Sequence, residues 1–153
     1  MDDFTIGGPK DVVAADVAMI KSQGMPKGLH LNDEKCEAIN NSGHTDQELI
    51  QEFIQLTPSS ATLLGAPLCE GHAMDICLNK RYDDLERVTS RLELIPAHDA
   101  LVLLRVSFSA PSLQHTIRSA PCSGHTTLTQ FDSLLRSALS KICNVALTDD
   151  QWI

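Results

Sequence analysis

Apolar residues in the second half of the chain recur at three- and four-residue steps, the spacing that places them on one face of an α-helix. This periodicity predicts one helix that begins after His72-Ala73 and ends before Pro96. It predicts further helices over residues 99–108, 113–119 and 127–145, and Thr148 is typical of the start of another. The longest apolar stripe belongs to residues 127–145: Leu128, Phe131, Leu134, Leu135, Leu139, Ile142 and Cys143.

The beginning of the chain mixes strand and helix patterns. Phe4 and Ile6 alternate with Thr5, which predicts a short strand that ends at Gly7-Gly8-Pro9. Residues 11–21 have helical periodicity, and Gly24 is a typical helix stop. The segment Leu29-His30-Leu31 predicts a second strand, followed by a turn over residues 32–35.

Two further elements are predicted before residue 70. The residues from Thr45 to Glu48 form a capping-box pattern, which predicts a helix whose apolar face extends to Phe53 and Ile54. Residues 61–68 are rich in strand-forming side chains around a Gly, and Pro67 is typical of an edge strand. The sequence therefore predicts an α+β fold: a hairpin, a helix, a strand and a hairpin in residues 1–70, then an all-helical bundle in residues 71–153.

Composition and charge limit the classes of function. The chain has 153 residues, of which 42% are hydrophobic and 21% are charged, as in a globular protein. Its net charge is −8, which disfavours a stand-alone nucleic-acid binder because phosphate contacts are made mostly by Lys and Arg. Residues 1–70 carry four basic and eleven acidic residues, whereas residues 71–153 carry eight and nine. The acidic excess therefore lies in the first part.

The sequence also bears on the compartment. No apolar run is long enough for a membrane span, because the run from Ala100 to Leu104 is followed at once by Arg105. The chain opens on acids rather than on the basic region of a secretory signal. Its five cysteines are scattered and odd in number, so they do not indicate a disulfide framework. We expect an intracellular protein, cytoplasmic or nuclear, with no membrane partner.

Asp2 and Asp3 are the first candidates for chemistry. Two adjacent carboxylates repel each other unless a cation or hydrogen-bond donors lie nearby. Mg²⁺ is usually held by one or two carboxylates together with substrate phosphates, and pairs of metal ions of this kind act in polymerases. A solvated acid pair at a turn is the alternative, since Asp is a favoured turn residue.

Three motifs resemble reverse transcriptases, in the order that this family has them. Met1-Asp2-Asp3-Phe4-Thr5-Ile6-Gly7-Gly8 resembles the Y-x-D-D hairpin without its tyrosine. Gly28-Leu29-His30-Leu31-Asn32-Asp33-Glu34-Lys35-Cys36-Glu37 resembles the motif G-L-x-L-N-x-x-K-C-E that follows this hairpin in many retroelements. Ala61-Thr62-Leu63-Leu64-Gly65 resembles the L-G turn of the primer grip. The chain thus resembles the C-terminal part of a retrotransposon RNA-directed DNA polymerase: a partial palm over residues 1–70 and a helical thumb over residues 71–153.

The resemblance implies roles for five residues. Asp2 and Asp3 would be catalytic ligands of Mg²⁺, and Lys35 would neutralise or protonate the departing pyrophosphate. Leu64 and Gly65 would form the primer grip, where a tight backbone turn approaches the primer end. The implied partners are an RNA or DNA template-primer and a deoxynucleoside triphosphate. An exposed turn lysine is the alternative for Lys35, and a plain hairpin turn is the alternative for Leu64-Gly65.

The resemblance also implies that this chain alone does not polymerise. The aspartate that reverse transcriptases supply from an earlier strand is missing, as are the fingers that hold the nucleotide, and two metal ions need that third carboxylate. Both ends resemble cut ends, so we expect a fragment of an enzyme that lacks its N-terminal palm and fingers. The competing hypothesis is a non-enzymatic retroelement remnant whose helical lobe binds a protein partner.

Two other side-chain clusters have alternative interpretations. Cys69, His72 and Cys77, with Cys122 and His125, have gaps at which zinc ligands occur, although the irregular gaps favour structural roles. Arg87 and Arg91 share a helix face that could follow a primer backbone. Interleaved acids favour a solvated helix with intrahelical ion pairs instead.

Overall fold

The computed structural model describes residues 4–40 and 52–152, and the chain divides into two compact units, Met1–Thr57 and Pro58–Ile153. Helices and short strands are both present, so the fold is α+β, as predicted. Among the helices of the described residues, none is long and apolar enough to cross a membrane. The division lies before residue 70 because the hairpin at residues 62–67 packs with helices of the second unit.

The first unit contains one helix and one strand pair. Helix α1, Lys10–Gly24, follows Pro9 and confirms the predicted helix. Short 3₁₀ turns follow at Met25–Lys27 and Asp33–Lys35. Strands β1, Glu37–Ile39, and β2, Ile54–Leu56, then pair in parallel.

Two strands predicted in the first unit are wrong. Residues 4–6 and 29–31 lie in irregular chain rather than in strands. A strand persists only when its N–H and C=O groups pair with a neighbour, and alternation over three residues supplies no neighbour. Glu37–Ile39 forms a strand because it pairs with Ile54–Leu56. The hydrogen bonds of this pair begin with the bond from Ile54 N to Cys36 O (2.8 Å).

The helix predicted to follow Thr45 does not extend to Ile54, so this part of the prediction is also wrong. Thr45 and Glu48, which form its capping box, lie outside the described residues. Ile54 begins β2 instead of closing an apolar helix face. Because Ile is β-branched, the strand suits it at least as well as the helix, and the parallel ladder decides between them.

The second unit begins with a hairpin and continues as helices. Strands β3, Thr62–Leu63, and β4, Ala66–Pro67, pair antiparallel and confirm the predicted hairpin with its edge proline. The helices also confirm the sequence pattern. They are α2, His72–Leu92; α3, Ala97–Leu103; α4, Ala110–Ser119; α5, Thr126–Cys143; and α6, Asp149–Trp152.

One departure from regular helix lies between α3 and α4. The chain widens into a π-helical turn at Leu104–Phe108, closed by a bond from Ser109 N to Leu104 O (2.9 Å). Pro111 then lies in the first turn of α4, where its missing N–H costs nothing. The continuous helix predicted for residues 99–108 is thus an α-helix joined to a π-turn.

The core of the second unit is built on α2. The side chains that α2 buries recur on one face, and α5 packs against that face with Phe131. At the N-terminal end of α2, Gly71 has φ +132° and lies so close to Ser59 that a Cβ would come within 2.7 Å of its Cβ. Only glycine therefore lets the start of α2 pack on the preceding turn. The buried apolar side chains of α2 include Met74, Leu78, Leu85 and Leu92.

Candidate functional site

The β3–β4 hairpin presents Leu64 and Gly65 at its tip. Leu63 pairs with Ala66, which leaves Leu64 and Gly65 as a two-residue loop. Both loop residues have positive φ, 51° at Leu64 and 79° at Gly65. This is the geometry of a type I′ turn, whose twist matches that of the two strands.

Leu64 is an unusual residue for this position. A bulky side chain at positive φ carries backbone strain on the order of 1 kcal/mol, and Asn or Gly avoids most of it. Burial does not offset the strain, because the Leu64 side chain is 88% exposed. Strained residues cluster at functional sites, so an exposed and strained apolar residue marks this tip as the candidate site.

A histidine fastens the tip to the helices. Nε2 of His115, on α4, donates a hydrogen bond to the Leu64 carbonyl (3.0 Å), and a carbonyl can only accept. In the neutral ring Nδ1 then faces the Ser119 hydroxyl as an acceptor (3.5 Å). Ala61, at the hairpin base, is 0% exposed, and Ala66, directly after the tip, is 3% exposed. The tip is therefore exposed but held from both ends.

Lys35 lies at the end of a 3₁₀ turn in the first unit. Its backbone N–H bonds to Asn32 O (3.0 Å), and its side chain is exposed. Within the described part of the chain, no acidic side chain forms an ion pair with it. Lys35 is thus a solvated lysine on a fixed turn. Leu64 and Gly65 belong to the other unit.

Cys36, the next residue, stabilises the same turn. Its Sγ donates to Asn32 O (3.2 Å). Burial and the negative charge of Asp33 raise the pKa of the Cys36 thiol above its ordinary 9.0. Because the thiolate is the nucleophilic form, this cysteine acts as a structural thiol at neutral pH.

Lys21, rather than Lys35, is the charged centre of the first unit. Its Nζ lies 2.9 Å from Asp33 and 3.4 Å from Glu52, and it is 5.7 Å from the centre of the Phe53 ring. The hydrogen bond to Asp33 is the main cause that raises the pKa of Lys21 above 10.5. Lys21 thereby connects α1 to the turn that carries Lys35.

The proposed magnesium ligands cannot be placed, because Asp2 and Asp3 lie outside the described residues. Over residues 4–40 and 52–152, no three His, Cys, Asp or Glu side chains come close enough together to hold a metal ion.

Two of the residues considered for zinc, His125 and Cys77, have other partners. His125 caps α5 by accepting from Thr127 N at Nδ1 (3.2 Å), while its Nε2 faces Asp75 (3.0 Å). Cys77 lies 3.6 Å from the Thr116 hydroxyl. His125 fastens the start of α5 to α2, and Cys77 contacts α4 from α2. Both side chains therefore have structural roles.

The arginines of α2 are divided between two roles. Arg87 forms an intrahelical ion pair with Asp84, which confirms the pairing that the interleaved acids predict. Arg91 is exposed one turn further along the same face.

Sequence analysis missed Lys21 and His115. Lys21 lies in the last turn of α1, a common place for a cation that balances the helix dipole, so its pattern carried no special signal. His115 acts on Leu64 from fifty-one positions away. A contact of that range leaves no local mark in the sequence.

The strain at the hairpin tip predicts opposite effects of two substitutions. Leu64→Asn should raise the thermal midpoint, because Asn accepts positive φ and the strain is on the order of 1 kcal/mol. Gly65→Ala should lower it by a similar amount, since φ is +79° and no other atom lies within 4 Å of the added Cβ. Thermal unfolding followed by circular dichroism measures both. A lower midpoint for Leu64→Asn would contradict the strain.

The Lys21 ion pair predicts a pH dependence. The pKa of Lys21 is raised in the folded chain, so its contribution is complete below the ordinary lysine value of 10.5 and is lost as pH rises through the folded value. Thermal midpoints between pH 7 and 11 should therefore fall more steeply for the native chain than for Lys21→Met. Lys35→Met is the matched control and should keep the native slope. Parallel curves for the native chain and Lys21→Met would contradict this linkage.

Comparison with known proteins adds no relative. No protein-family model matches the chain, and neither a curated protein nor a solved structure matches it. The candidate site is therefore interpreted from its own residues.

Proposed function

We propose that the chain is a palm-and-thumb fragment of a retroelement reverse transcriptase, and that on its own it binds a nucleic-acid template-primer without extending it. The parent reaction is template-directed addition of deoxynucleotides. One observation carries the proposal: the exposed, strained Leu64-Gly65 tip of a hairpin that is fixed to a helical unit. It stands where the sequence resemblance puts the primer grip.

The hairpin tip suits contact with a nucleic-acid strand. Gly65 has no side chain, so a sugar-phosphate backbone can approach the turn closely. Leu64 offers an apolar surface to the sugar or base edge beside it. The bond from His115 holds the turn in place, so little conformational entropy is lost when a primer binds.

The donor set at the start of the chain suits Mg²⁺. Asp2 and Asp3 supply carboxylate oxygens, the ligands that this ion prefers. In the parent enzyme, Mg²⁺ bound there would neutralise charge on the oxygens that attack and leave. Lys35, exposed on its turn, would donate a proton to the departing pyrophosphate. The resemblance assigns the third carboxylate of this cage to an earlier strand of the parent enzyme, so we expect no synthesis by this chain.

The second candidate is a retroelement remnant that binds a protein. A specific observation favours it: Val102, Leu103 and Val106 expose 48%, 42% and 65% of their surface on adjacent turns of α3 and the π-turn. Exposed apolar side chains that lie together are typical of protein contacts. This candidate predicts no affinity for a template-primer, so one titration separates the two.

Binding to a template-primer tests the first candidate. We expect the chain to raise the fluorescence anisotropy of a labelled RNA–DNA hybrid that has a recessed primer end. Leu64→Asp should weaken binding by about tenfold, because it replaces the apolar contact with a charge that repels phosphate. Leu94→Asp is the matched control, since Leu94 is 84% exposed and lies away from the hairpin. Equal losses for the two variants, or no binding by the native chain, would overturn the primer-grip assignment.

Metal titration tests the incomplete cage. Calorimetry with Mg²⁺ or Mn²⁺ should give millimolar or weaker binding, because two carboxylates without substrate phosphates hold these ions poorly. Asp2→Asn and Asp3→Asn should each weaken this binding further, because each removes one of the two carboxylates. Tight binding that either substitution abolishes would mean that another carboxylate completes the site, and it would contradict the expected inactivity of the chain alone.

A further inference from the structure

A groove on the second unit gathers arginine side chains that the hairpin site does not use. It lies where α2 passes the π-turn and the start of α4, and it has a volume of about 420 Å³. That volume falls in the range of small-molecule sites, roughly 300 to 1,000 Å³. The residues that line it include Arg81, Asp84, Arg87, Arg91, Phe108 and Ser112.

The α2 wall of the groove consists of two neighbouring rows of side chains. Arg81, Leu85 and Val88 form one row at steps of four and three residues. Asp84, Arg87 and Arg91 form the other at steps of three and four. Leu85 is buried at 2% exposure, so the arginines rise from an apolar floor.

The opposite wall comes from the π-helical turn. Phe108 ends this turn and is half-buried, with part of its surface packed on the core and part lining the groove. The Ser112 hydroxyl bonds to the carbonyls of Phe108 (3.3 Å) and Ser109 (2.8 Å), which fixes the turn. π-turns inside helices occur frequently at functional sites. Here the turn brings an aromatic ring to face arginines of another helix.

The charges of the groove specify the charge of a ligand. Three guanidinium groups carry a charge of +3, and Asp84, which forms an ion pair with Arg87, reduces the net charge of the groove to +2. Arg81 and Arg91 are left exposed on either side of that pair. A phosphate monoester carries close to two negative charges at neutral pH, whereas a phosphodiester carries one. Charge balance therefore favours the monoester.

We propose that this groove binds a nucleoside 5′-monophosphate, with its phosphate on Arg87 and Arg91, which are neighbours at a four-residue step, and its base against Phe108. Guanidinium groups bind phosphate oxygens through paired N–H donors. Any of the bases can stack on an aromatic ring, because each has a π-face. Neither contact depends on the proposed polymerase origin of the chain. The interior of a nucleic-acid strand offers the same bases but only diester phosphates. A titration can therefore distinguish binding of a free nucleoside monophosphate from binding of a strand.

Calorimetric titration of the full chain with AMP, adenosine, inorganic phosphate and the dinucleotide ApA tests the proposal. AMP should bind about tenfold more tightly than adenosine or phosphate alone, because it uses both halves of the groove. ApA, which has a diester linkage, should bind about tenfold more weakly than AMP. Equal affinities for AMP and phosphate would overturn the base contact, and an ApA affinity equal to that of AMP would overturn the choice of a monoester.

Substitutions locate the ligand. Arg91→Gln and Arg87→Gln should each weaken AMP binding by about tenfold, and Asp84→Asn should strengthen it, since it removes a negative charge and releases Arg87. Arg118→Gln is the matched control: it removes the same charge from an exposed site on α4 outside the groove. A loss for Arg118→Gln equal to that for Arg91→Gln would mean unspecific attraction and would overturn the site.

The aromatic contact has its own test. Phe108→Leu keeps an apolar side chain in the turn and should weaken AMP about tenfold while leaving phosphate affinity unchanged. Thermal unfolding of this variant shows whether the turn is still folded, and the exposed Arg91 gives a second test that does not depend on the core. Unchanged AMP affinity in a folded Phe108→Leu chain would overturn the stacking.

Discussion

The packing of α2 against α5 is the contact on which the second unit depends. Met74, Leu78 and Leu85 are each no more than 2% exposed, and Phe131 of α5 is 3% exposed. Burial of side chains of this size stabilises a fold by roughly 1.5 to 3 kcal/mol each. In the first unit, by contrast, α1 buries none of its residues and is fastened by the ion pairs of Lys21. Among the described residues of the first unit, α1 therefore has no buried face like that of α2.

Because one face of α2 is fixed in the core, the positions of its end and of its remaining surface are fixed as well. Its N-terminal end, at Gly71, packs on the turn before the hairpin and so fastens the base of β3 and β4. Its solvent side carries the arginines toward the π-turn. The hairpin tip and the groove are thus two consequences of one packed helix, although their proposed ligands are independent of each other.

The success of sequence analysis depended on whether an element carries its own partners. Helices bond within themselves, so periodicity alone predicted α1, α2, α4 and α5. The hairpin was predictable for the same reason, since Gly65 and Pro67 mark a local turn and edge. The strands expected at residues 4–6 and 29–31 failed because a strand needs a distant partner, and the parallel partner of β1 lay where a helix was expected. The groove could not be predicted from the sequence for a related reason. Phe108 comes close to arginines some twenty residues away only because of the π-turn.

The net charge of −8 does not oppose binding of a small anion in the groove. At physiological salt, exposed charges more than about 8 Å apart are largely screened, so a ligand experiences the nearest side chains rather than the sum. Two other cations of the helical unit are already paired, Arg136 with Asp149 and Lys141 with Glu93. The acidic excess instead suppresses unspecific attraction to phosphate, which depends on many cations spread over a surface. Recognition of phosphate in the groove therefore comes from a few guanidinium groups in fixed positions, and those of α2 are held by its own buried face.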